Sequence, residues 1–98
     1  MVHIFLRHKV GKFDQWKRVF DDHLGMRKAG GELNCRLFYN TDDTSDVVLF
    51  QEWTSRVAAE SFFKSPQLKK GLEEAGVVGE PEMIFVEELH QLRRTAAD

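Results

Sequence analysis

The sequence has little of several features that would assign it to a specialised class. Its single cysteine, Cys35, excludes an internal disulfide and fits a reducing compartment. Its 14 basic and 16 acidic side chains leave no positive excess for binding nucleic acid or an anionic membrane surface. The longest apolar runs, such as residues 47–50, are too short to span a bilayer, and the charged N-terminal residues do not have the pattern of a signal peptide. We therefore expect a cytoplasmic protein without nucleic-acid or membrane partners.

The length of the chain allows one small domain. With 98 residues and an even composition, the sequence contains no linker, repeat or low-complexity segment. We predict a single domain over residues 1–92, followed by a polar, disordered tail at 93–98. A domain of this size buries only about two-thirds of the surface that its unfolded chain exposes, so a partner subunit would add stability.

Apolar periodicity predicts the strands and the first helix. Alternation with a period of two marks the strands, which we place at residues 2–10, 33–40, 47–53 and 83–89. Spacing of three and four residues between apolar side chains from Phe13 to Leu24 predicts a helix that ends before Gly30 and Gly31.

Polar and glycine-rich segments separate these elements. Residues 40–46 have the composition of a hairpin turn, and residues 76–81 have that of a loop. Ser55 is the predicted N-cap of a second helix, and Ser65-Pro66 interrupts that helix and starts a separate turn. The order is β-α-β-β-α-β. It predicts an α+β, ferredoxin-like fold with a four-stranded antiparallel sheet and both helices on one face.

The predicted sheet has apolar residues on both faces. Ile4 and Leu6 would lie beneath the helices, whereas Phe5 and Phe38 would point to the other face. In the third and fourth strands both alternate sets are apolar; these strands include Val47-Val48-Leu49-Phe50 and Met83-Ile84-Phe85-Val86. Because a sheet with two apolar faces needs two covers, we predict a homodimer in which the open faces of two copies pack together.

Three segments carry a resemblance to a known family. They are RHKVGKFDQWKRVFD at residues 7–21, FQEW at 50–53 and SPQLK at 65–69. With these segments the chain resembles the antibiotic biosynthesis monooxygenases of the dimeric α+β barrel superfamily, over roughly residues 2–90. The resemblance implies two ferredoxin-like protomers that join their sheets into a barrel with the helices outside. That superfamily includes cofactor-free monooxygenases of polyketide aromatics, haem-degrading enzymes and isomerases, so the fold alone does not supply the reaction.

The predicted topology places one histidine and one tyrosine at the same end of the sheet. His8 and Tyr39 both have the parity of the apolar set on their strands, so we expect both to point under the helices. An imidazole and a phenol at the edge of an apolar cavity could orient an aromatic substrate or transfer a proton. The alternative is structural: His8 hydrogen-bonds a nearby group, and Tyr39 fills the core.

The same end of the sheet supplies walls for a small apolar or aromatic ligand. Phe13 and Trp16 lie in the first turn of the first helix, and Val78 lies in the loop bounded by Gly76 and Gly79, which we expect to open. The alternative for Trp16, and for Phe20, Phe62 and Phe63, is ordinary core packing. Cys35 falls among apolar neighbours and is expected to be buried and inert.

Charged side chains and histidines elsewhere do not indicate a metal or a cofactor. His3, His90, Glu52 and Glu88 could approach one another at the other end of the sheet, but they lack the spacing of a ligand pair, so we predict no metal site. The glycines show no phosphate-binding pattern, so we predict no cofactor. The strand charges Arg7, Arg36, Glu52 and Glu88 would bind an acidic substrate or, as we expect, pair with one another at the rim of the dimer.

Two functions remain open at this stage. The first is a cofactor-independent monooxygenase that acts on a small aromatic or polyketide-like molecule, with His8 or Tyr39 assisting proton removal. The second is a non-enzymatic dimer that binds a small ligand or serves a stress-related role. An open cavity faced by His8 would favour catalysis, and a filled interior would favour a scaffold.

Overall fold

The computed structural model describes residues 1–92, which form a four-stranded antiparallel sheet covered on one face by four helices. In chain order the elements are β1 (Val2–Val10), α1 (Phe13–Asp22), α2 (Leu24–Gly30), β2 (Glu32–Asn40), β3 (Asp43–Trp53), α3 (Arg56–Phe63), α4 (Pro66–Glu74) and β4 (Val77–Val86). The predicted α+β, ferredoxin-like fold is confirmed, with each helical crossover divided in two. The tail predicted at 93–98 lies outside the described residues.

The central strand β1 organises the sheet, whose strand order is β2-β3-β1-β4. Ile4 pairs with Gln51 of β3 on one side and with Phe85 of β4 on the other. Burial along β1 alternates as the period of a strand requires: Val2, Ile4, Leu6, His8 and Val10 are buried, and the residues between them are more accessible. The helices therefore cover the face predicted from the sequence.

The two predicted N-caps of the second crossover are confirmed. The Ser55 hydroxyl accepts a hydrogen bond from the backbone N–H of Ala58 at 3.1 Å, and Ser65 accepts one from the N–H of Leu68 at 3.2 Å. Pro66 stands in the first turn of α4, where its missing N–H costs no helical hydrogen bond. Each serine satisfies a backbone donor that the helix leaves unpaired.

The first crossover is broken where a single helix was predicted. His23, with φ −95° and ψ 12°, ends α1 and begins α2. The ring of His23 lies against the backbone of α4, since a Cβ placed on Gly71 would come within 2.6 Å of it. Gly31 then ends α2 with φ +117°, the left-handed cap that the glycine pair predicted.

The fourth strand differs most from the prediction. Residues 76–81 do not form a loop, because β4 begins at Val77, and the strand ends at Val86 instead of Leu89. The pairing with β1 shifts between Arg7 and Lys9, which leaves room for Gly79, with φ +74°, and for Pro81. An edge strand with a bulge accommodates both residues that were interpreted as breakers.

The hairpin between β2 and β3 is shorter than the predicted turn at residues 40–46. β3 starts at Asp43, so only residues 41 and 42 separate the two strands. Asp43 and Asp46 both lie in β3, and their carboxylates accept hydrogen bonds from side chains of β1. Lys9 Nζ donates to Asp43 at 2.6 Å, and Arg7 donates to Asp46 at 2.6 and 2.9 Å.

The core lies between the sheet and the helices, around Trp53. This side chain is fully buried, packs its ring against Phe62 and Phe63 at centroid distances of 5.0 and 5.8 Å, and donates its indole N–H to Gln51. Burial of the indole stabilises the fold through a large apolar area, and its N–H costs no stability because it is hydrogen-bonded. Across the described residues, the helices are too short and too polar for any of them to span a membrane.

The open face of the sheet remains apolar at its centre. Phe5 is 43% exposed and Ile84 is 59% exposed, and the two face each other across β1 and β4. Phe50 packs its edge against Phe5 at 6.1 Å, and Phe38 is exposed on β2. A patch of this kind is typical of a protein interface.

Within residues 1–92 of one copy, no ion pair joins two of the residues Arg7, Arg36, Glu52 and Glu88, and their expected pairing at the rim of the dimer stays a prediction. Arg7 pairs with Asp46, because the register sets Asp46 opposite Lys9 and next to Arg7 on the open face. Glu52 pairs with His3 at 3.1 Å, and the guanidinium of Arg36 lies over the ring of Phe38 at 5.4 Å. Asn40 adds a third hydrogen bond to Asp46, and these bonds hold the pKa of the Asp46 carboxyl well below its usual range.

Glycine geometry in the first crossover yields a matched pair of substitutions. We expect Gly31→Ala to reduce the free energy of unfolding by about 1 kcal/mol or more, because alanine is strained at positive φ. Its Cβ would also approach Thr54 Oγ1 at 2.7 Å. Gly25→Ala, with no atom within 4 Å of the new Cβ, should be neutral or stabilising by up to about 1 kcal/mol. Urea denaturation measures the free energy of unfolding of both variants, and equal effects would contradict the left-handed conformation of Gly31.

Candidate functional site

A cavity of about 240 Å³ lies between the sheet and the helices. The sheet supplies its floor through Leu6, His8, Leu49, Gln51, Pro81 and Met83. The helical layer supplies its walls through Trp16, Val19, Phe20, His23, Met26, Arg27, Phe62, Phe63, Leu68, Gly71, Leu72 and Ala75. Most of these side chains are apolar, and few polar groups interrupt them, as is usual for a small-molecule site.

His8 is a buried polar side chain on the cavity floor. It is 6% exposed, and its ring meets the Trp16 ring edge-on at 5.5 Å. Neither ring nitrogen has a hydrogen-bond partner within residues 1–92. Burial lowers the pKa of His8 to about 4, so its imidazole is neutral at pH 7. A neutral imidazole can accept one hydrogen bond and donate another, and here both capacities are available to a ligand.

One wall of the cavity is a continuous aromatic stack. The rings of Trp16 and Phe20 stack at a centroid distance of 5.0 Å and an interplanar angle of 18°. The Arg27 guanidinium lies over the Phe20 ring at 3.6 Å, within the range of a cation–π interaction. Trp16 and Arg27 thus both lie against the Phe20 ring, and the stack makes this wall of the cavity aromatic and apolar.

A buried hydrogen-bond chain closes the other end of the cavity. Arg27 Nε donates to Glu32 at 3.2 Å, and Gln51 Nε2 donates to the second Glu32 oxygen at 3.0 Å. Trp53 in turn donates to Gln51 Oε1 at 3.2 Å. Burial raises the pKa of Glu32, and the charge and hydrogen bond of Arg27 oppose that shift. Arg27 and Gln51 line the cavity, so its two ends differ: a histidine at one and this chain at the other.

Comparisons with known proteins identify the family. The family model for antibiotic biosynthesis monooxygenase matches residues 1–74. The chain belongs to the antibiotic biosynthesis monooxygenase family. Among curated protein sequences, none matches this chain.

Solved structures share the fold of this family member. SnoaB, a cofactor-independent oxygenase from Streptomyces nogalater, is similar with a TM-score of 0.74 and 18% identity over 95% of this chain and 97% of its own. A crystal structure of an antibiotic biosynthesis monooxygenase is similar with a TM-score of 0.68 and 14% identity, over 92% and 100% of the two chains. Rv0793 from Mycobacterium tuberculosis is similar with a TM-score of 0.66 and 18% identity, over 94% and 98%. At these identities, the likeness establishes the fold.

The structure separates the predicted site residues of this monooxygenase-family chain into two groups. His8 and Trp16 line the cavity. The Phe13 ring lies 6.0 Å from the Trp16 ring, centroid to centroid, but Phe13 lines a separate groove together with Tyr39. His8 therefore lies on the helix-covered face, as its position in the alternation of β1 predicted. Phe13 does not line the cavity.

Tyr39 and Val78 lie outside the cavity. His8 and Tyr39 share one row of the sheet, since both pair with Val47. Tyr39 is nevertheless 51% exposed, so its expected place beneath the helices is wrong. It lies near the end of the edge strand β2, where the Phe13 ring of α1 packs against its ring at a centroid distance of 5.7 Å. Val78 pairs with Lys9 on the open face and is exposed, because residues 77–81 form part of β4.

Sequence reasoning missed the polar end of the cavity. Gln51 has the same parity on β3 as Val47 and Leu49, so it could have been recognised as a polar residue on the covered face. Arg27 gave no such signal, because a basic residue in the last turn of a helix is ordinarily solvated. It is buried here, where its guanidinium lies over the Phe20 ring and its Nε donates to Glu32.

The described residues contain no group of three histidine, cysteine or carboxylate side chains that could hold a metal ion. His3 Nε2 is hydrogen-bonded with Glu52 at 3.1 Å on the open face. Burial, with the nearby charge of Glu32, raises the pKa of the half-buried Cys35 thiol to about 12. A thiol of this kind is a poor nucleophile at neutral pH.

Burial of His8 yields a prediction for the pH dependence of stability. Its pKa is about 4 in the folded chain, against 6.5 when the group is unperturbed. The unfolded state therefore binds more protons between these values. The free energy of unfolding should fall as the pH is lowered from about 6.5 to 4, by at most about 3 kcal/mol from this residue.

His8→Phe should abolish that decrease, because phenylalanine does not titrate. The exposed His90 supplies the control, and His90→Phe should retain the wild-type pH dependence. Urea unfolding at pH 7.5, 5.5 and 4.5 measures the effect. An unchanged slope in His8→Phe would show that His8 is not buried as a neutral imidazole.

Proposed function

We propose that this protein is a cofactor-independent monooxygenase that acts on a small aromatic or polyketide-like molecule bound in the cavity. The observation that carries the proposal is His8, a buried imidazole that faces the cavity with neither nitrogen paired within residues 1–92. A buried polar group without a partner costs free energy, and a ligand hydroxyl or enol would satisfy it. Membership of the monooxygenase family supports the same reaction class.

His8 would act as the general base. A neutral imidazole takes a proton from an enolisable C–H or a phenolic O–H of the substrate and leaves an electron-rich enolate. Dioxygen then oxidises the activated CH₂ group to a carbonyl, with one oxygen atom entering the product and the other leaving as water. The imidazolium is stabilised by the enolate beside it, and it returns its proton to the departing oxygen.

The size and walls of the cavity support a mono- or bicyclic aromatic substrate. Its volume of about 240 Å³ lies just below the roughly 300–1,000 Å³ of drug-sized sites. The Trp16–Phe20 stack provides a flat apolar wall beside His8. Apolar walls exclude water from the reacting carbon, and this strengthens the interaction between enolate and imidazolium.

A second candidate function is binding without turnover. The pKa of His8, near 4 in the free protein, is low for a base that works at neutral pH. Within residues 1–92 no carboxylate hydrogen-bonds its ring to raise basicity. The same cavity would then hold an aromatic ligand without reaction, as expected of a ligand-binding or stress-related dimer.

We also propose that two copies pair through the open face of the sheet. The exposed side chains of Phe5, Phe38 and Ile84 form its apolar centre, and the Arg7–Asp46 pair lies beside them. A face of this composition is stabilised when a second copy covers it, as two-fold symmetry allows. The resulting assembly would be the dimeric α+β barrel that the family resemblance implies.

Oxygen uptake with 2-tetralone and 2-indanone, two enolisable bicyclic aromatic ketones, tests the monooxygenase proposal. We expect the wild type to consume oxygen with at least one of them. His8→Phe should reduce turnover by roughly 10²–10⁴-fold, the range of general base catalysis, with an unchanged or raised melting temperature. His90→Phe is the control and should keep wild-type turnover. Tight binding of a ketone without oxygen uptake would favour the binding function.

Sedimentation velocity at micromolar concentration tests the dimer. The interface should bury about 800 Å² or more of each subunit, and Phe5→Glu should convert the dimer to a monomer by placing a charge at its centre. Val57→Glu is the matched control, because Val57 is an exposed apolar residue on α3, in the helical layer. A wild-type monomer, or equal effects of the two substitutions, would refute the interface.

A further inference from the structure

One residue of the cavity lining is exposed to solvent. Met83 is 39% exposed, whereas the other described residues that line the cavity are buried or half-buried. Met83 belongs to β4 and pairs with Leu6, so its side chain lies on the helix-covered face of the sheet. The same side chain therefore borders both the cavity and the solvent. The cavity opens beside Met83, at the β4 edge of the sheet.

The helix next to this edge is α4, which packs against β4. It contributes Leu68 and Leu72 to the cavity lining, and both are half-buried. On the sheet side the lining ends with Pro81 and Met83 of β4. Because β4 is an edge strand, no other strand within residues 1–92 lies beyond it. The opening therefore lies between α4 and β4.

The pairing of β4 with β1 is interrupted beside His8. Lys9 pairs with Val78, and the residue on the other side of His8 pairs with Glu82, so residues 79–81 stand opposite His8 alone. An excess of residues on one strand bends that strand and breaks the regular ladder. A ligand that enters over this bulge reaches the end of the cavity where the unpaired imidazole lies.

The backbone on both sides of the bulge is held in place. Before it, the Glu74 carbonyl accepts a hydrogen bond from Gln15 Nε2, and the Gly76 carbonyl accepts one from the N–H of Gly11, each at 2.9 Å. After it, regular pairing with β1 resumes and continues to Val86. With the flanking backbone fixed, the side chains at the opening control its width.

Methionine has the properties that such a position requires. Its side chain is unbranched and rotates about three bonds, so it fills a gap and leaves it again at little cost. Exposed side chains change rotamer within picoseconds to nanoseconds. Pro81, the other β4 residue of the lining, has a rigid ring and lacks this freedom. Met83 is thus the adjustable side chain of β4 at the opening.

We propose that ligands enter the cavity between α4 and β4, and that Met83 limits the width of the ring system that passes. Met83 is thereby a specificity-determining residue that acts on the rate of entry. It lies on the face of the sheet opposite to the one proposed for the dimer. The inference rests on the proposed function in one respect, namely that this cavity takes up a ligand.

Association kinetics of phenol and 2-naphthol test the entrance, because these probes differ by one ring. Stopped-flow measurement of tryptophan fluorescence follows their arrival beside Trp16. In the wild type we expect phenol to associate about tenfold faster than 2-naphthol. Met83→Ala should raise the association rate constant of 2-naphthol about tenfold and remove this difference. Met83→Ile should lower that rate constant, because a side chain branched at Cβ is stiff.

Met26 supplies the matched control. It is the same type of residue, lines the same cavity and is half-buried, but it belongs to α2 in the helical layer. Met26→Ala and Met26→Ile alter the wall and not the entrance, so they should change the dissociation rate constants and leave association unchanged. Equal effects on association at the two positions, or a larger effect at Met26, would refute an entrance at β4.

Acrylamide quenching decides the case in which neither probe binds. This small neutral quencher needs no binding site, and it reaches Trp16, which is 2% exposed, through the cavity. Its bimolecular quenching constant should rise in Met83→Ala and not in Met26→Ala. Urea unfolding of both variants checks that a loosened fold does not cause the rise. A constant that stays at the wild-type value in Met83→Ala would refute the entrance.

The outcomes separate this inference from the proposed function. Oxygen uptake by the wild type, together with wild-type association and quenching in Met83→Ala, would support the monooxygenase and refute the entrance. Faster association or quenching in Met83→Ala alone, without oxygen uptake by the wild type, would support the entrance and contradict the monooxygenase.

Discussion

The alternation of side chains along β1 is the constraint on which the rest of the molecule depends. This strand is hydrogen-bonded on both sides, so its register determines which residues of β3 and β4 share its faces. The same period of two that buries Ile4 and Leu6 also buries His8, although an imidazole is costly to desolvate. The site therefore arises from the feature that forms the core: the polar residue occupies a core position, and the helices that cover the core also enclose the cavity.

Periodicity and capping chemistry were enough to predict the architecture, because both depend on local sequence. β1 and the caps at Ser55 and Ser65 follow directly from alternation and from unpaired helix donors. The errors occur where tertiary contacts override a local preference. Gly79 and Pro81 looked like loop residues, yet a bulge on an edge strand accepts both.

The candidate site was predictable only in part for the same reason. Parity placed His8 and helical spacing placed Trp16, and both line the cavity. Parity alone also placed Tyr39 beneath the helices, but burial depends on which part of the sheet a helix reaches, and this end of β2 is left uncovered. Arg27 could not be placed from spacing, because its burial depends on tertiary contacts with Phe20 and Glu32.

Polar side chains are hydrogen-bonded to one another on the open face of the sheet, whereas on the covered face His8 has no partner within residues 1–92. On the open face, Arg7, Asp46 and Asn40 satisfy one another beside an apolar patch, so the charges are already paired before any partner arrives. Such a pair contributes little net stability, but it restricts the ways in which a second sheet can be placed against the first.

The covered face leaves the hydrogen-bonding capacity of one buried side chain, His8, unused at the edge of a cavity. Neither His8 nitrogen has a partner within residues 1–92, whereas the buried Arg27–Glu32–Gln51 chain satisfies its own charges. Filling this space with apolar side chains would stabilise a protein that only had to fold, because cavities and unpaired polar groups both reduce stability. Sequences retain such costs mainly at sites where a ligand compensates for them. The unpaired imidazole of His8, beside an apolar floor and an aromatic wall, is the physical reason to regard the cavity as a binding site instead of a packing defect.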